Sequence, residues 1–431
     1  MFRINQYCSR YEETPIQLDT PIIIPNNNVK QNKSGYQFTI NDRSSYFDWF
    51  NGFFEVKFFV NQLDGDGGYT GLGADAAAGI KATATIINGS TSLINNLNIK
   101  QNGKVVYEGN NLFLTSNVKS LVEYSGDYAR TIATSEIFYL DNINTTTKDN
   151  YGFKERFDMT KGDNKEVSCI IPLNRYSFFN CLQDRMLPPS QIQITATLTD
   201  DNILIHKTDT ADDGRVVITK FVLWVPRMLF NSNGLSYVMS NYMKPTSWTY
   251  LREMVQTLNN IRHVDNNFRI SPSILNPKYV FVLFQRSDKI NSQTENPYIF
   301  DTFKLNAADD NCHLQSARLT VGNGIYYPEI EYSYDHIVRI FKDVNNYTYK
   351  QNDKNTGSLL NLKNFKDLYG MLFFNIAYKT ETDNITNDGK EIILNYKLSA
   401  PATADYTIYS IVLYEQTVRM DVLGNELILY T

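Results

Sequence analysis

The sequence predicts an all-β protein built as two sandwiches of about eight strands each, and three observations carry that expectation. The two halves echo each other: Ile192–Leu198 (IQITATL) returns as Ile392–Leu398 (IILNYKL), Phe221–Trp224 (FVLW) as Ile411–Tyr414 (IVLY), and the pair Arg227-Met228 as Arg419-Met420. An Asn-Gly pair lies earlier in each half, at Asn102-Gly103 and Asn323-Gly324. Four matches in one order imply two copies of a unit of roughly 200 residues, a size that suits a sandwich. The second observation is composition, with 29 Tyr and 25 Phe against 3 Trp and 4 His, a balance that favours strands. The third is alternation: Phe54, Val56, Phe58 and Val60 interleave with Glu55 and Lys57, the pattern of a half-buried strand.

Residues 1–30 read as an extended N-terminal arm, because Pro15, Pro21 and Pro25 keep such a segment off central sheet positions. Residues 31–229 are assigned to the first sandwich and 230–431 to the second. Strands begin near Tyr36 and Phe53, and Asp64–Gly79 is a Gly/Ala/Asp loop expected to be exposed. Asn102-Gly103 between two β-like runs signals a type I′ hairpin. From 111 to 138 the pattern turns helical, with Val118, Leu121 and Val122 on one face. Val167–Leu173 is a strand ended by Pro172, followed by a short helix over Arg175–Arg185 that Pro188-Pro189 stops. Ile192–Leu198 alternates inward and outward, and Val216–Val225 is apolar on both faces, so it should lie centrally. Residues 230–275 form the junction, with a helix expected near Trp248–Leu258. From Lys278 to Glu426 the β pattern resumes between polar loops at 288–296, 345–357 and 380–390.

Composition excludes several function classes. The net charge is −5, with 41 Lys and Arg interspersed among 46 Asp and Glu. A protein that grips phosphates needs clustered cations, so strong direct nucleic-acid binding is not expected. Cys8, Cys169, Cys181 and Cys312 lack Cys-x-x-Cys or metal-ligand spacing and read as reduced, buried thiols. Sequons at Asn32, Asn88, Asn144, Asn346 and Asn384 are expected by chance in so Asn-rich a chain. No run approaches the ~20 apolar residues that span a bilayer, and Met1–Gln6 has no apolar stretch of signal-peptide type. The chain is expected to be soluble, not inserted in a membrane, and made in a reducing compartment.

Tests for catalytic chemistry find no candidate. Asp64–Asp75 places acids at positions 1, 3 and 12 of an EF-hand-length loop, but Tyr69 stands where that loop needs Gly. Gly71–Ala76 matches the letters of a dinucleotide fingerprint without the strand-to-helix setting it requires. His206, His263, His313 and His336 are dispersed, and Cys312-His313 on a strand would point to opposite faces. The pairs Asp200-Asp201, Asp212-Asp213 and Asp309-Asp310 sit in apparent turns, where solvated acids are the default. No catalytic, cofactor-binding or metal-ligating residue is nominated, and no cofactor is expected.

The stretch Cys169–Asn180 (CIIPLNRYSFFN), running through Leu187-Pro188 to Gln191–Leu198 (QIQITATL), resembles the first jelly roll in coat proteins of nucleocytoplasmic large DNA viruses and Polintons. Ser45–Phe50 (SYFDWF), Leu121–Tyr128 (LVEYSGDY) and Trp248–Glu253 (WTYLRE) extend the similarity, which is spread over residues 36–430 and is nearest the Polinton-like or adintovirus-like major capsid proteins. The resemblance implies a tandem double jelly roll of two eight-stranded antiparallel sandwiches with short helical insertions. It further implies a homotrimer forming a pseudo-hexagonal capsomer of an icosahedral capsid, with minor capsid or penton proteins as further partners. The location implied is the virion capsid, assembled in the host cytoplasm or nucleus. Threefold closure of identical chains buries heterologous surfaces without open filaments. The modest loops depart from forms with large towers, and the arm lacks the basic residues of a genome-binding segment.

Two readings of other classes stand beside this one, because a shared fold does not fix function. A peptide-N-glycanase-like enzyme on paired jelly rolls would need acids converging where the sandwiches meet. A carbohydrate-binding module would expose Trp platforms, yet Trp49, Trp224 and Trp248 lie in apolar or aromatic runs.

Overall fold

In the computed structural model the described residues are 8–16, 36–42, 44–63, 69–71, 84–86, 88–145, 149–161, 165–183, 185–207, 214–242, 246–290, 292–303, 313–322, 324–331, 333–347, 358–377, 389–402, 404–421 and 426–430. Within them, sixteen strands carry the architecture. Those of the first half are β1 (Cys8–Ile16), β2 (Tyr36–Ile40), β3 (Phe53–Leu63), β4 (Ile94–Gln101), β5 (Lys104–Gly109), β6 (Val167–Pro172), β7 (Ile192–Leu198) and β8 (Gly214–Phe230). Those of the second are β9 (Thr246–Ile261), β10 (Asp265–Ile274), β11 (Pro277–Arg286), β12 (Leu314–Val321), β13 (Gly324–Glu331), β14 (Leu372–Asn375), β15 (Lys390–Leu398) and β16 (Tyr406–Asp421). The first half forms sheets in the order β1-β8-β3-β6 and β2-β7-β4-β5. The second forms β9-β16-β11-β14 and β10-β15-β12-β13. Adding eight to each strand of the first half reproduces the second. Two four-stranded antiparallel sheets wound in this order are a jelly roll, and the chain contains two.

Side-chain alternation places the strands. In β7, Ile192, Ile194, Ala196 and Leu198 are buried, and Ile194 lies level with Phe38 on β2 and Ile99 on β4. β15 repeats this with Ile392, Leu394, Tyr396 and Leu398. β8 is shared by two neighbours, β3 along Gly214–Trp224 and β1 along Leu223–Phe230, so among the described residues its apolar run is paired on both edges at Leu223 and Trp224. The Asn102-Gly103 turn has φ of 50° and 81°, the paired positive values of a type I′ hairpin. In the second roll Val321 pairs with Gly324 and the positive φ falls on Gly322 (56°), so the turn is offset from the Asn-Gly letters. A similar slip affects the other echo. Leu223 packs in the first core, whereas its letter-match Leu413 lies on the opposite face of its sheet and lines a cleft.

Several helices join the strands: α1 (Leu112–Glu123), α2 (Tyr151–Thr160), α3 (Ser177–Asn180), α4 (Ser232–Tyr242) and α5 (Tyr334–Tyr347). The helix expected near Trp248–Leu258 is instead most of strand β9. Its Thr, Trp, Tyr and Val residues suit a strand, and β16 offers it a ladder from Thr246↔Met420 to Ile261↔Tyr406. Non-local pairing here overrides a helix-like spacing. The helix expected over Arg175–Arg185 reduces to a 3₁₀ turn at Leu173–Arg175 and the four residues of α3. Part of the segment expected as an arm is β1, which pairs with Leu223–Phe230 at a sheet edge, the kind of strand that tolerates a proline such as Pro15. Of the Asp64–Gly79 loop, Tyr69–Gly71 is a short strand on β3 and the remainder lies outside the described residues.

Two large cores result, and each takes side chains from the other roll. The core of the second roll includes Phe113, Leu114, Val118, Leu121 and Val122 of α1. That of the first includes Trp248, Tyr250, Val418 and Met420, together with Leu427 of the short final strand Glu426–Tyr430. The rolls are cross-stitched.

Candidate assembly surfaces and the seam between the rolls

The first roll grips β9 and the end of β16 from two sides. On one side is the β4–β5 hairpin: Tyr250 donates its hydroxyl to the Val106 carbonyl, Lys104 Nζ donates to the Leu427 carbonyl at 2.8 Å, and Gln101 Nε2 approaches Met420 Sδ at 3.3 Å. On the other side are α1 and α3, which meet Glu253. This carboxylate is buried and accepts from Lys119 Nζ at 2.9 Å, from Tyr107 Oη at 3.0 Å and from Ser177 Oγ. Burial raises the cost of its charge, but the Lys119 ammonium and the hydrogen bonds from Ser177, Lys119 and Tyr107 outweigh that and lower its pKa. Burial likewise works against the Lys119 charge, and the carboxylates of Glu253 and Glu123 overcome it and raise that pKa. Both shifts favour the ion pair. Beside it opens a cleft of about 320 Å³ whose walls come from both rolls, among them Glu123 and Asn180 from the first and Tyr347, Leu413 and Glu415 from the second.

A second buried cross-link lies around α2. Arg156, fully buried, donates to the carbonyls of Ile86 and Tyr139 and to Asp141 Oδ1 at 2.9 Å. The second roll completes the set: Asn296 Nδ2 donates to Asp141 Oδ2 at 2.5 Å, and Tyr369 Oη to the Asp141 carbonyl at 2.9 Å. Gly152 lets α2 approach this closely, because a Cβ there would lie 2.5 Å from the Tyr139 carbonyl oxygen. A guanidinium can be buried here because its donors meet acceptors in fixed positions.

Three of the motifs behind the sequence resemblance contribute to this region. Arg175, from the Cys169–Asn180 stretch, lies over the rings of Tyr124 and Tyr128 at 4.2 and 5.1 Å, and 3.5 Å from Glu136. Tyr124 and Tyr128 belong to the Leu121–Tyr128 motif and both donate to Glu136. Ser177 comes from the same stretch as Arg175, and Tyr250 and Glu253 from Trp248–Glu253. Residue reading gave none of them a role. Lys119 and Tyr107 carried no signal, because a lone Lys in a helical pattern and a Tyr in a strand look ordinary.

The structure disperses the other residues weighed from sequence. His206 is buried edge-on to Phe153 at 5.3 Å, and burial with the Arg156 charge lowers its pKa to about 3. His263 is exposed, Ser333 Oγ caps α5 by accepting from the His336 amide, and His313 Nδ1 lies 3.2 Å from Ser399 Oγ. Asp200 caps the turn at Asp201–Leu204, and Asp201 accepts from the Val216 amide. Residues 212, 213, 309, 310 and 312 lie outside the described residues. Burial pushes the thiols of Cys169 and Cys181 up, the latter to about 12. Among the described residues no three His, Cys, Asp or Glu side chains converge as metal ligands, and no helix is long and apolar enough to cross a membrane. Trp49 stacks on Phe179 and Trp248 lies in the first core, while Trp224 is half-buried and donates to Glu55. Asn88, within a sequon, is buried and accepts from the Tyr139 amide.

Two outward surfaces stand out. Helix α4 has no charged residue; Val238 anchors it on Tyr46, Met186 and Met228, and it exposes Leu235, Tyr237 and Met239. The outer face of the β3–β8 sheet carries Phe53, Glu55, Lys57, Lys220, Val222 and Trp224, all half-buried.

No protein-family model and no curated protein matches the sequence. Solved structures do match. A chain of the Sputnik virophage aligns with a TM-score of 0.61 at 10% identity, over 98% of this chain and 89% of that one. The Faustovirus major capsid protein aligns at 0.57 and 10% identity, over 95% of this chain and 90% of its own. The mavirus major capsid protein aligns at 0.55 and 10% identity, over 97% and 90%. At such low identity the likeness speaks to fold, and it agrees with the strand order: this chain has the double jelly-roll fold found in those major capsid proteins.

Proposed function

We propose that the protein is the major capsid protein of an icosahedral double-stranded DNA virus or virus-like element of Polinton-like type, working as a homotrimeric pseudo-hexagonal capsomer without enzymatic activity. The observation that supports this most is the pair of equivalent rolls that share side chains across their seam, with likeness to the mavirus and Faustovirus major capsid proteins over at least 95% of the chain. A rigid two-roll subunit is what a threefold ring needs to present six similar edges, and a heterologous contact that closes at three avoids filaments. On this reading the chain divides near residue 230, its location is the virion capsid after assembly in the host cytoplasm or nucleus, and minor capsid or penton proteins are further partners. The mild acidity of the chain suits a shell with no strong direct grip on the genome.

The test is the solution mass of the purified chain by light scattering, with negative-stain imaging of the same peak. Trimers seen as hexagonal particles are the expected result. A monomer that persists at high concentration would remove the capsomer reading.

A further inference from the structure

The rolls present equivalent sheets, and among the described residues the outer face of the second is the more deeply covered. On that face the ladder pairs are Tyr279↔Leu413, Phe281↔Ile411 and Leu283↔Tyr409. All but Tyr279 are buried. Two helices meet over this face: Tyr347 at the end of α5 packs on Tyr279 and Phe281 and donates to Glu123 of α1, whose Lys119 reaches Glu253, the ladder partner of Leu413. The equivalent rungs of the first roll follow from the core pairs beside them, Phe54↔Leu223 matching Val280↔Val412. They are Phe53↔Trp224, Glu55↔Val222 and Lys57↔Lys220, and all six residues are half-buried.

The helices differ in the same way as the sheets. α1 follows β5 as α5 follows β13. Within α1 every residue is buried except Lys119 and Glu123, both partly covered at the seam. Within α5 only Ile337, Ile340 and Val344 are buried, while Tyr334, Asp335, Arg339 and Lys342 are exposed. The buried helix α1 thus meets the second roll inside the chain, whereas the charged side of α5, opposite its buried Ile337, Ile340 and Val344, and the charged sheet of the first roll face outward. The sheet offers Glu55 and Glu166 beside Lys57 and Lys220, and the helix offers Arg339 and Lys342 beside Asp335 and Asp343.

We propose that α5 of one copy lies across the Phe53–Trp224 face of the next copy, so that the contact between chains repeats the seam within the chain in polar form. The proposal rests on the trimeric-capsomer reading and names the surfaces that would close it. A face that must stay soluble before assembly carries charges interspersed with a few aromatic anchors, as contacts between separately folded partners do. Complementary charge of this kind sets register and encounter rate, and it is weakened by salt.

The experiment compares three full-length proteins by sedimentation at about 0.1 M and about 1 M salt, where screening shortens from roughly 10 Å to 3 Å: wild type, Arg339→Glu/Lys342→Glu on α5, and Val222→Arg on the sheet. Thermal unfolding monitors the fold of each, and Lys154→Glu, on the exposed side of α2, serves as a charge control. Wild-type trimers that weaken in high salt, with both variants associating ~10-fold or more weakly and the control unchanged, are expected. Wild-type trimers with both variants associating as tightly would overturn the placement while leaving the capsomer reading intact. A wild type that stays monomeric in every condition would overturn both.

Discussion

A buried carboxylate, Glu253, holds the two rolls in register. Glu253 has three donors, all from the first roll, and its cation Lys119 is also nearly covered. Removing one partner of such a pair leaves the other charge buried and unpaired, which costs roughly 3–5 kcal/mol. Lys119→Met should therefore destabilise the protein by about that amount in urea titration. The double variant Lys119→Met/Glu253→Gln should be more stable than Lys119→Met alone, because Gln keeps an acceptor for Tyr107 and Ser177 without a charge. Additive losses would show that the pair acts as two independent groups. The two buried titrating groups act in different pH windows. The folded-state pKa of Glu253 lies below its ordinary 4.5, so its contribution is complete above 4.5 and is lost as pH falls further. The folded-state pKa of His206 lies at about 3 against an ordinary 6.5, so the unfolded chain takes up a proton first. Stability from this group falls by ~1.4 kcal/mol per pH unit below 6.5 until about 3. His206→Gln should flatten the stability profile between pH 6.5 and 4.5, whereas an unchanged slope would place the acid sensitivity elsewhere.

At the scale of elements, the last strand belongs energetically to the first roll. Leu427 is in the first core, and Lys104 donates to its carbonyl. Leu427→Ala should cost roughly 2–5 kcal/mol through the cavity it leaves. Hydrogen exchange should then quicken in β4 and β5, far away in sequence, more than in β10 and β15. Protection lost only along β16 would contradict this. The same element explains what the sequence could and could not convey. Strands with one buried face were legible: β7 and β15 alternate cleanly, and Asn102-Gly103 has the residues that positive φ requires. β9 was not legible, since its residues near Trp248–Leu258 are spaced like a helix face and the ladder with β16, distant in sequence, is what makes them a strand. β1 was hidden for a related reason, because Pro15 argues against a central strand and says nothing against an edge. The seam was visible only as letters: Trp248–Glu253 stood out, but Glu253 gains its role from Lys119, Tyr107 and Ser177, brought together by the fold. Chance also entered, since the echo of FVLW in IVLY links equivalent strands whose matching Leu residues face opposite sides.

At the scale of the molecule, two sandwiches in tandem ordinarily behave as neighbours joined by a linker, with an interface more polar than either core. Here each core is completed by the other half: α1 enters the second, while β9, β16 and the final strand enter the first. Buried charges reinforce the arrangement at two separate places, Lys119–Glu253 and the Arg156–Asp141–Asn296 set. Neither roll can lose its packing without uncovering apolar residues of the other and stranding charges away from water. The chain should therefore unfold as one unit despite its length. Calorimetry should give a single transition whose measured enthalpy matches the van't Hoff value, and residues 1–229 made alone should expose the empty site of Leu427, Trp248 and Met420 and aggregate. Two resolved transitions, or a well-folded isolated first roll, would mean that the shared side chains contribute little. The coupling suits the assembling subunit proposed above, because a load placed on one roll would be carried through the seam without opening it.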